Sequence, residues 1–224
     1  SIFDICTPSP AGVDCRRAME QQRVPRQFGH FEILGPIGRG GMAEVFKAKV
    51  IDGPYKGRTV ALKRLLPEYA TNEQYVDLFV SEADLSRMLK HPNIVEVLES
   101  GAIENTWYMA MDYIDGRDLG QILNRCRERQ ILLPIDFALF LGQKLLEALD
   151  AAHKAVSPSG APLQLVHCDV SPSNLFISKV GEIKLGDFGI AKVRAVDRTK
   201  RNGIWGKVHY ASPELLRGGD VLPQ

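Results

Sequence analysis

Apolar and polar positions along the chain change their period twice. From Phe31 onward, apolar residues come in short runs broken by glycine and proline. This predicts strands over 31–37 and 43–50, on either side of the cluster Gly38-Arg39-Gly40-Gly41. Asp52-Gly53-Pro54 marks a turn, and 59–64 reads as a third strand. The spacing then shifts to three and four. Tyr75, Leu78, Phe79, Glu82, Leu85, Ser86 and Leu89 predict a helix over 72–90, ended by His91-Pro92-Asn93 because the residue before a proline is disfavoured in a helix. Strands are expected over 94–98 and 107–111. Past Asp115-Gly116 the pattern turns helical again. Asp118 is placed to cap a short helix carrying Leu119, Ile122 and Leu123, and 136–154 forms a long helix with Phe137, Leu141, Leu145 and Leu149 on one face. A loop over 157–162 leads to short strands over 175–178 and 183–185. A strand-rich first half and a helix-led second half predict an α+β chain of two lobes: an extension or linker over 1–27, a first lobe over 28–113 and a second over 114–224.

Composition narrows the function classes. Lys and Arg total 28 and Asp and Glu 27, a net charge of +1 that offers no electrostatic case for nucleic acid or an anionic membrane. A hydrophobic fraction of 45% with 25% charged residues is ordinary globular composition. Cys6, Cys15, Cys126 and Cys168 lie far apart without metal-ligand spacing, so they read as reduced thiols in a cytoplasmic chain. No apolar run is long enough for a membrane span and no signal peptide is evident, although an anchor following residue 224 would not be visible. A start at Ser1 is consistent with processing or a fragment at the front.

The candidate chemistry begins at the glycine cluster. Ala43-Glu44-Val45-Phe46-Lys47-Ala48 is strand-like, so Gly38-x-Gly40-x-x-Ala43 sits in a hairpin and does not open a helix as a dinucleotide-binding loop would. Such a loop can lay backbone N–H groups over phosphates; its plain alternative is a flexible turn. Lys63 lies inside the apolar strand Val60-Ala61-Leu62-Lys63, and Glu82 lies within the stripe of the next helix. Burying either alone costs several kcal/mol, which pairing offsets in large part. Downstream, His167-Cys168-Asp169-Val170-Ser171-Pro172-Ser173-Asn174 is followed by Asp187-Phe188-Gly189 and then Ser212-Pro213-Glu214. An Asp, an Asn five residues on and a second Asp beside glycine can supply a base and oxygen ligands for Mg²⁺. Singly, each is also an ordinary turn residue.

Together and in this order, the glycine hairpin, V-A-L-K, helix Glu, H-x-D-x-x-x-x-N, D-F-G and S-P-E resemble a eukaryotic-like (bacterial) serine/threonine protein kinase domain over about residues 31–214. The resemblance implies a β-rich N-lobe, a mainly helical C-lobe, ATP and Mg²⁺ as cofactors, and a protein substrate bearing Ser or Thr. Carried over residue by residue, Gly38, Gly40 and Gly41 would cover the phosphates. Ile37, Val45 and Ala61 would roof the adenine, Phe176 would floor it and Met111 would back it. Asp112 and Ile114 would offer backbone groups to its edge, and Asp118 would reach the ribose. Lys63, steadied by Glu82, would hold the α/β-phosphates. Asp169 would take the substrate proton, and Asn174 and Asp187 would hold Mg²⁺.

The chain also departs from the family. Ala43 stands for the third glycine, Cys168 for the Arg before the catalytic Asp, Ser171 for the Lys two residues after it, and Lys207 for the Thr that follows Gly206. Pro172 resembles the Ser/Thr branch. The chain ends ten residues past Glu214, where a complete C-lobe continues; it reads as truncated there, and the helix over 136–154 is expected to lose cover on the face of Phe137, Leu141, Leu145 and Leu149. The first reading is an ATP- and Mg²⁺-dependent kinase. The alternative is a nucleotide-binding pseudokinase or truncated regulatory module, which Cys168 and Ser171 favour; an adapter binding no nucleotide fits the retained residues poorly. If Lys207 resupplies the cation missing at Ser171, Lys207→Thr in a complete-length enzyme cripples phosphoryl transfer and added Ser171→Lys restores part of it. Full activity of Lys207→Thr alone contradicts the exchange. With Cys168 in place of the phosphate-reading Arg, Thr199→Ala is expected to keep most of the activity.

Overall fold

A computed structural model describes residues 26–163, 165–188, 208–210 and 213. The chain forms two compact units, Ser1–Val76 with Leu98–Tyr113, and Asp77–Val97 with Ile114–Gln224. The first lobe expected over 28–113 is therefore interrupted: residues 77–97, most of a helix among them, group with the second unit.

The first unit is built on a six-stranded sheet in the order β1-β2-β3-β4-β6-β5. Its strands are β1 (Gln27–Phe28), β2 (Phe31–Arg39), β3 (Ala43–Val50), β4 (Thr59–Leu65), β5 (Val97–Ile103) and β6 (Thr106–Asp112). Side chains alternate across a strand, so the antiparallel register sorts them onto two faces. Phe46 opposes Leu62 and Ala48 opposes Val60; with Phe28, Phe31, Ile33, Val50, Leu98, Tyr108 and Ala110 they form a buried apolar cluster. Arg64 closes this face. Its guanidinium lies 4.4 Å from the Phe46 ring centroid and 5.0 Å from that of Phe28, and it pairs with Glu44 at 2.7 Å. Burial beside Glu99, which accepts its hydroxyl hydrogen bond, pushes Tyr108 up to about 12. β1 straddles the expected boundary, starting at Gln27, the last residue of the expected linker; two residues are too short to carry a period.

The second unit contains most of helix α1 (Glu73–Arg87), then β7 (Gly116–Asp118), α2 (Leu119–Glu128), α3 (Ile135–His153), β8 (Leu175–Ser178) and β9 (Ile183–Leu185). β7, β8 and β9 form an antiparallel sheet in that order. The strand expected over 94–98 does not form as such. Ile94 and Val95 instead align with β9: Leu185 N–H donates to Asn93 O at 2.8 Å, Val95 N–H donates to Leu185 O at 2.9 Å, and Ile94 and Leu185 form a parallel bridge. Buried Asn93 adds a side-chain bond to Ile183 O at 2.8 Å. The apolar run continues through 98, but its backbone partners change, and β5 begins only at Val97.

Helix α3 corrects a second expectation. The face of Phe137, Leu141, Leu145 and Leu149, expected to lose its cover, keeps much of it: Leu141 is buried, with Ala148 and Ala152, and the other three are half-buried. The wet apolar side chains are Ile135, Leu139 and Leu146, each at least 66% exposed. The helix is apolar most of the way round, so spacing alone does not choose which stripe is covered.

Gly116 sets how closely β7 meets β8. A Cβ there would overlap Ile177 O and press on the Ser178 backbone at 2.7 Å, neither of which can rotate away. Gly116→Ala should therefore cost on the order of 1–3 kcal/mol. A denaturant titration of both forms checks this; an unchanged midpoint contradicts the close approach.

Candidate functional site

The expected site residues divide between the units, and the register explains how each set comes together. In the first unit, Val45 opposes Lys63, Lys47 opposes Ala61, Ala61 opposes Met111 and Lys63 opposes Met109. Directly opposed residues share a face, so Val45, Ala61, Lys63 and Met111 lie on the side of the sheet away from the apolar cluster. Ile37 is the extra residue between the Pro36–Phe46 and Gly38–Val45 pairs and is 51% exposed. The hairpin closes through Gly40 N–H to Ala43 O at 2.7 Å. A Cβ at Gly38 or Gly41 would meet no neighbour within 4 Å, and neither residue has a left-handed backbone. Packing and backbone geometry therefore give no reason for glycine at 38 and 41. What the missing side chains leave is open access to the main chain.

In the second unit, one buried imidazole connects two loops. His167 is 2% exposed. Its Nδ1 accepts from Asp169 N–H at 3.2 Å, and its Nε2–H donates to Gly186 O at 3.0 Å. This pattern is the Nε2-protonated neutral ring. Burial holds its pKa below the usual 6.5, the Gly186 bond and the Asp169 and Asp187 charges opposing only in part. The ring also packs against buried Phe188, tilted by 44° with centroids 4.6 Å apart. Asn174, buried at the end of the 3-10 turn Pro172–Asn174, donates from Nδ2 to Asp169 O at 2.8 Å and to Asp169 Oδ2 at 3.1 Å. Its carbonyl accepts Gly186 N–H at 2.9 Å. Asp169, Asn174 and the residue preceding Asp187 are thus fixed to one another.

Both loops bend sharply where they meet this network. Cys168 (φ 59°) and Asp187 (φ 51°) are left-handed without being glycine, a strain of about 1–3 kcal/mol each that the surrounding bonds must hold. Asp187 is exposed, whereas its neighbours Gly186 and Phe188 are buried. Gly186 lets Phe176 and Val95 pack close: a Cβ there would meet the Phe176 ring at 2.9 Å and Val95 at 3.1 Å, so the Phe176 ring would have to shift.

The remaining expected residues have definite places. Glu82 is buried on α1 at 7% exposure, as its position in the apolar stripe implied. Phe176 is half-buried on β8, opposite Asp118. Asp118 caps α2, its Oδ1 accepting Gln121 N–H at 2.9 Å. Asp112 ends β6, and half-buried Ile114 begins the segment after it. Ser171 is buried, with its Oγ 3.2 Å from that of Ser173. Lys207, Thr199, Ser212 and Glu214 lie outside the described residues, as do Cys6 and Cys15. Among the described residues, no helix is long and apolar enough to cross a membrane. From the sequence His167 stands only within a motif, Gly186 has no role and Asn93 only ends a helix; the signal for burial of His167 is the apolar pair Leu165-Val166 before it.

Comparison with known proteins points one way. A model of the protein kinase domain matches residues 31–223. The chain is 35% identical over 195 residues to the tyrosine-protein kinase MasK of Myxococcus xanthus, covering 87% of this chain and 30% of that one. It is also 35% identical over 195 residues to the serine/threonine-protein kinase PrkC of Bacillus subtilis, covering 87% of this chain and 28% of that one. The crystal structure of the Mycobacterium tuberculosis PknI kinase domain matches with a TM-score of 0.64 at 30% identity, covering 88% of this chain and 67% of that one.

His167 generates a pH prediction. The unfolded ring takes up its proton near 6.5, whereas the folded ring does so only at lower pH. Between those values the unfolded chain binds more protons, so its share of stability is full above about 6.5 and is lost as pH falls through the folded value. Denaturant midpoints measured from about pH 7 to pH 5 should fall, and His167→Phe should flatten that slope. An identical slope in the variant contradicts a buried neutral histidine.

Proposed function

The chain belongs to the protein kinase family and has its fold, and from that premise we propose that it binds ATP with Mg²⁺ and transfers the γ-phosphoryl group to Ser or Thr hydroxyls of a protein substrate. The observation that carries the reading is the network tying Asp169, Asn174 and Gly186–Asp187 together through His167. A carboxylate and an amide oxygen are hard donors that suit Mg²⁺, and the Asn174–Gly186 bond keeps Asn174 beside the Asp187 turn. When bound, Mg²⁺ would neutralise charge on the phosphates.

The residues have separable tasks. Lys63 would hold the α/β-phosphates with Glu82 as its counter-charge, and the open main chain at Gly38, Gly40 and Gly41 would lie over them. The face carrying Val45, Ala61 and Met111, with Ile37 beside it, would cover the adenine; Phe176 would lie under the base and Asp118 near the ribose, while Asp112 and Ile114 would present backbone groups to its edge. Asp169, its Oδ2 steadied by Asn174, would orient the substrate hydroxyl and take its proton as the oxygen bonds to the γ-phosphorus. The bond from that phosphorus to the bridging oxygen breaks, and ADP leaves. Lys207 would supply the cation that Ser171 cannot. A cytoplasmic location is part of the same proposal, supported by four cysteines that lie far apart in the sequence without a disulfide or metal-ligand pattern. Pro172, which opens the 3-10 turn, favours Ser/Thr over Tyr as acceptor, although MasK is named a tyrosine kinase.

Two variants test the assignment. Mg²⁺-dependent ATP binding by calorimetry should be lost in Asp187→Ala; binding that ignores both Mg²⁺ and this change contradicts it. In a complete-length enzyme, Asp169→Asn should keep nucleotide binding and lower transfer to a Ser/Thr peptide by roughly a hundredfold or more, the scale of general-base catalysis. A second reading, nucleotide binding without transfer, is favoured by the buried serine at 171. Absence of transfer to either Ser/Thr or Tyr peptides by the complete-length wild type would select it.

A further inference from the structure

Strand β6 ends at Asp112, and the next residue, Tyr113, has left the strand. Two cationic side chains from elsewhere in the same unit hold this end, one on each face of the sheet. On the face of the apolar cluster, where Val60 opposes Asp112, Arg58 Nη2 donates to Asp112 Oδ1 at 2.6 Å. The carboxylate is only 11% exposed. On the other face, where Lys47 opposes Ala61 and Ala61 opposes Met111, Lys47 Nζ lies 4.3 Å from the Tyr113 ring centroid.

Neither cation hangs from a loose segment. Lys47 lies within β3, paired on both sides, by Gly35 on β2 and Ala61 on β4. Arg58 follows a tight turn in which Gly53 (φ 90°) and Gly57 (φ 88°) are left-handed, and its own carbonyl accepts Val50 N–H at 2.9 Å while its N–H donates to Tyr55 O at 3.0 Å. Both side chains therefore start from a fixed backbone, which reduces the ordering cost of each contact. The turn's two glycines also have a reason here: they return the chain to the sheet with Arg58 in reach of Asp112.

We propose that Lys47 and Arg58 are positioning residues for the nucleotide base: acting through Tyr113 and Asp112, they fix the main chain at the end of β6 and so set ATP affinity. The proposal rests on the functional reading above, in which Asp112 presents backbone groups to the adenine edge. Neither residue belongs to the phosphate-binding or proton-transfer sets. The grip is two-sided, so loss of either contact lets the segment shift toward the other face, and loss of both frees it.

Equilibrium titration of the chain with ATP and Mg²⁺ tests this, with thermal midpoints recorded alongside. Lys47→Met and Arg58→Met should each weaken binding roughly threefold, the scale of one exposed cation–π contact or ion pair. Lys47→Arg and Arg58→Lys should recover most of the loss, which a merely structural change in packing would not do. In a Tyr113→Leu background, Lys47→Met should cost nothing further, because its only route to the base has gone. An undiminished cost there would mean that Lys47 touches the nucleotide itself and would overturn the positioning role. Unchanged ATP affinity in both methionine variants would also overturn it. Absence of ATP binding by the wild-type chain is a different result: it removes the functional reading and this proposal with it.

Discussion

A single buried imidazole that stays neutral is the constraint on which the second unit's chemistry depends. His167 has one acceptor and one donor, and both are used: the acceptor orients the amide of Asp169, and the donor grips the carbonyl of Gly186. A charged ring would have no acceptor, so the part-buried Asp169 amide would lose its partner. Desolvation guards against that state by depressing the pKa. The two left-handed residues, Cys168 and Asp187, lie immediately beyond the two ends of this tie. The bonds of one histidine thus hold strained backbone on two loops, at one of which Asp187 is exposed while its neighbours stay buried.

The first unit solves a different problem by register. Its sheet must bury an apolar face and also present charge and open main chain on the other. An antiparallel ladder does both, because a period of two separates Phe46, Ala48, Val60 and Leu62 from Val45, Ala61 and Lys63 without any break in pairing. A one-residue slip of β4 would send Lys63 into the cluster of Phe46 and Tyr108. Burial of that cluster therefore protects the placement of the lysine, so stability and function depend on the same register.

Much of this was legible in the residues themselves. Strands 43–50 and 183–185, the Asp118 cap and the burial of Glu82 follow from period, turn chemistry and the cost of charge. The order of the motifs, from the glycine hairpin to Asp187, carries the resemblance to the family on the residues alone. Other features depend on partners far along the chain. Ile94 and Val95 read as part of a strand with 97–98, but Leu185 takes their backbone. Ile135, Leu139 and Leu146 are as apolar as Leu141, and only the tertiary environment distinguishes them. The grip on Asp112 and Tyr113 was equally hidden, because Lys47 and Arg58 look like solvated lysine and arginine until the register sets them beside their partners.

The most direct test of the account is the protonation state of His167, read by long-range ¹H–¹⁵N correlation of its imidazole. The account predicts the Nε2-protonated neutral ring at neutral pH, with its second proton taken up only at lower pH than in a solvated histidine. A ring that takes up its second proton at or above the usual 6.5, or a neutral ring protonated at Nδ1, would contradict it.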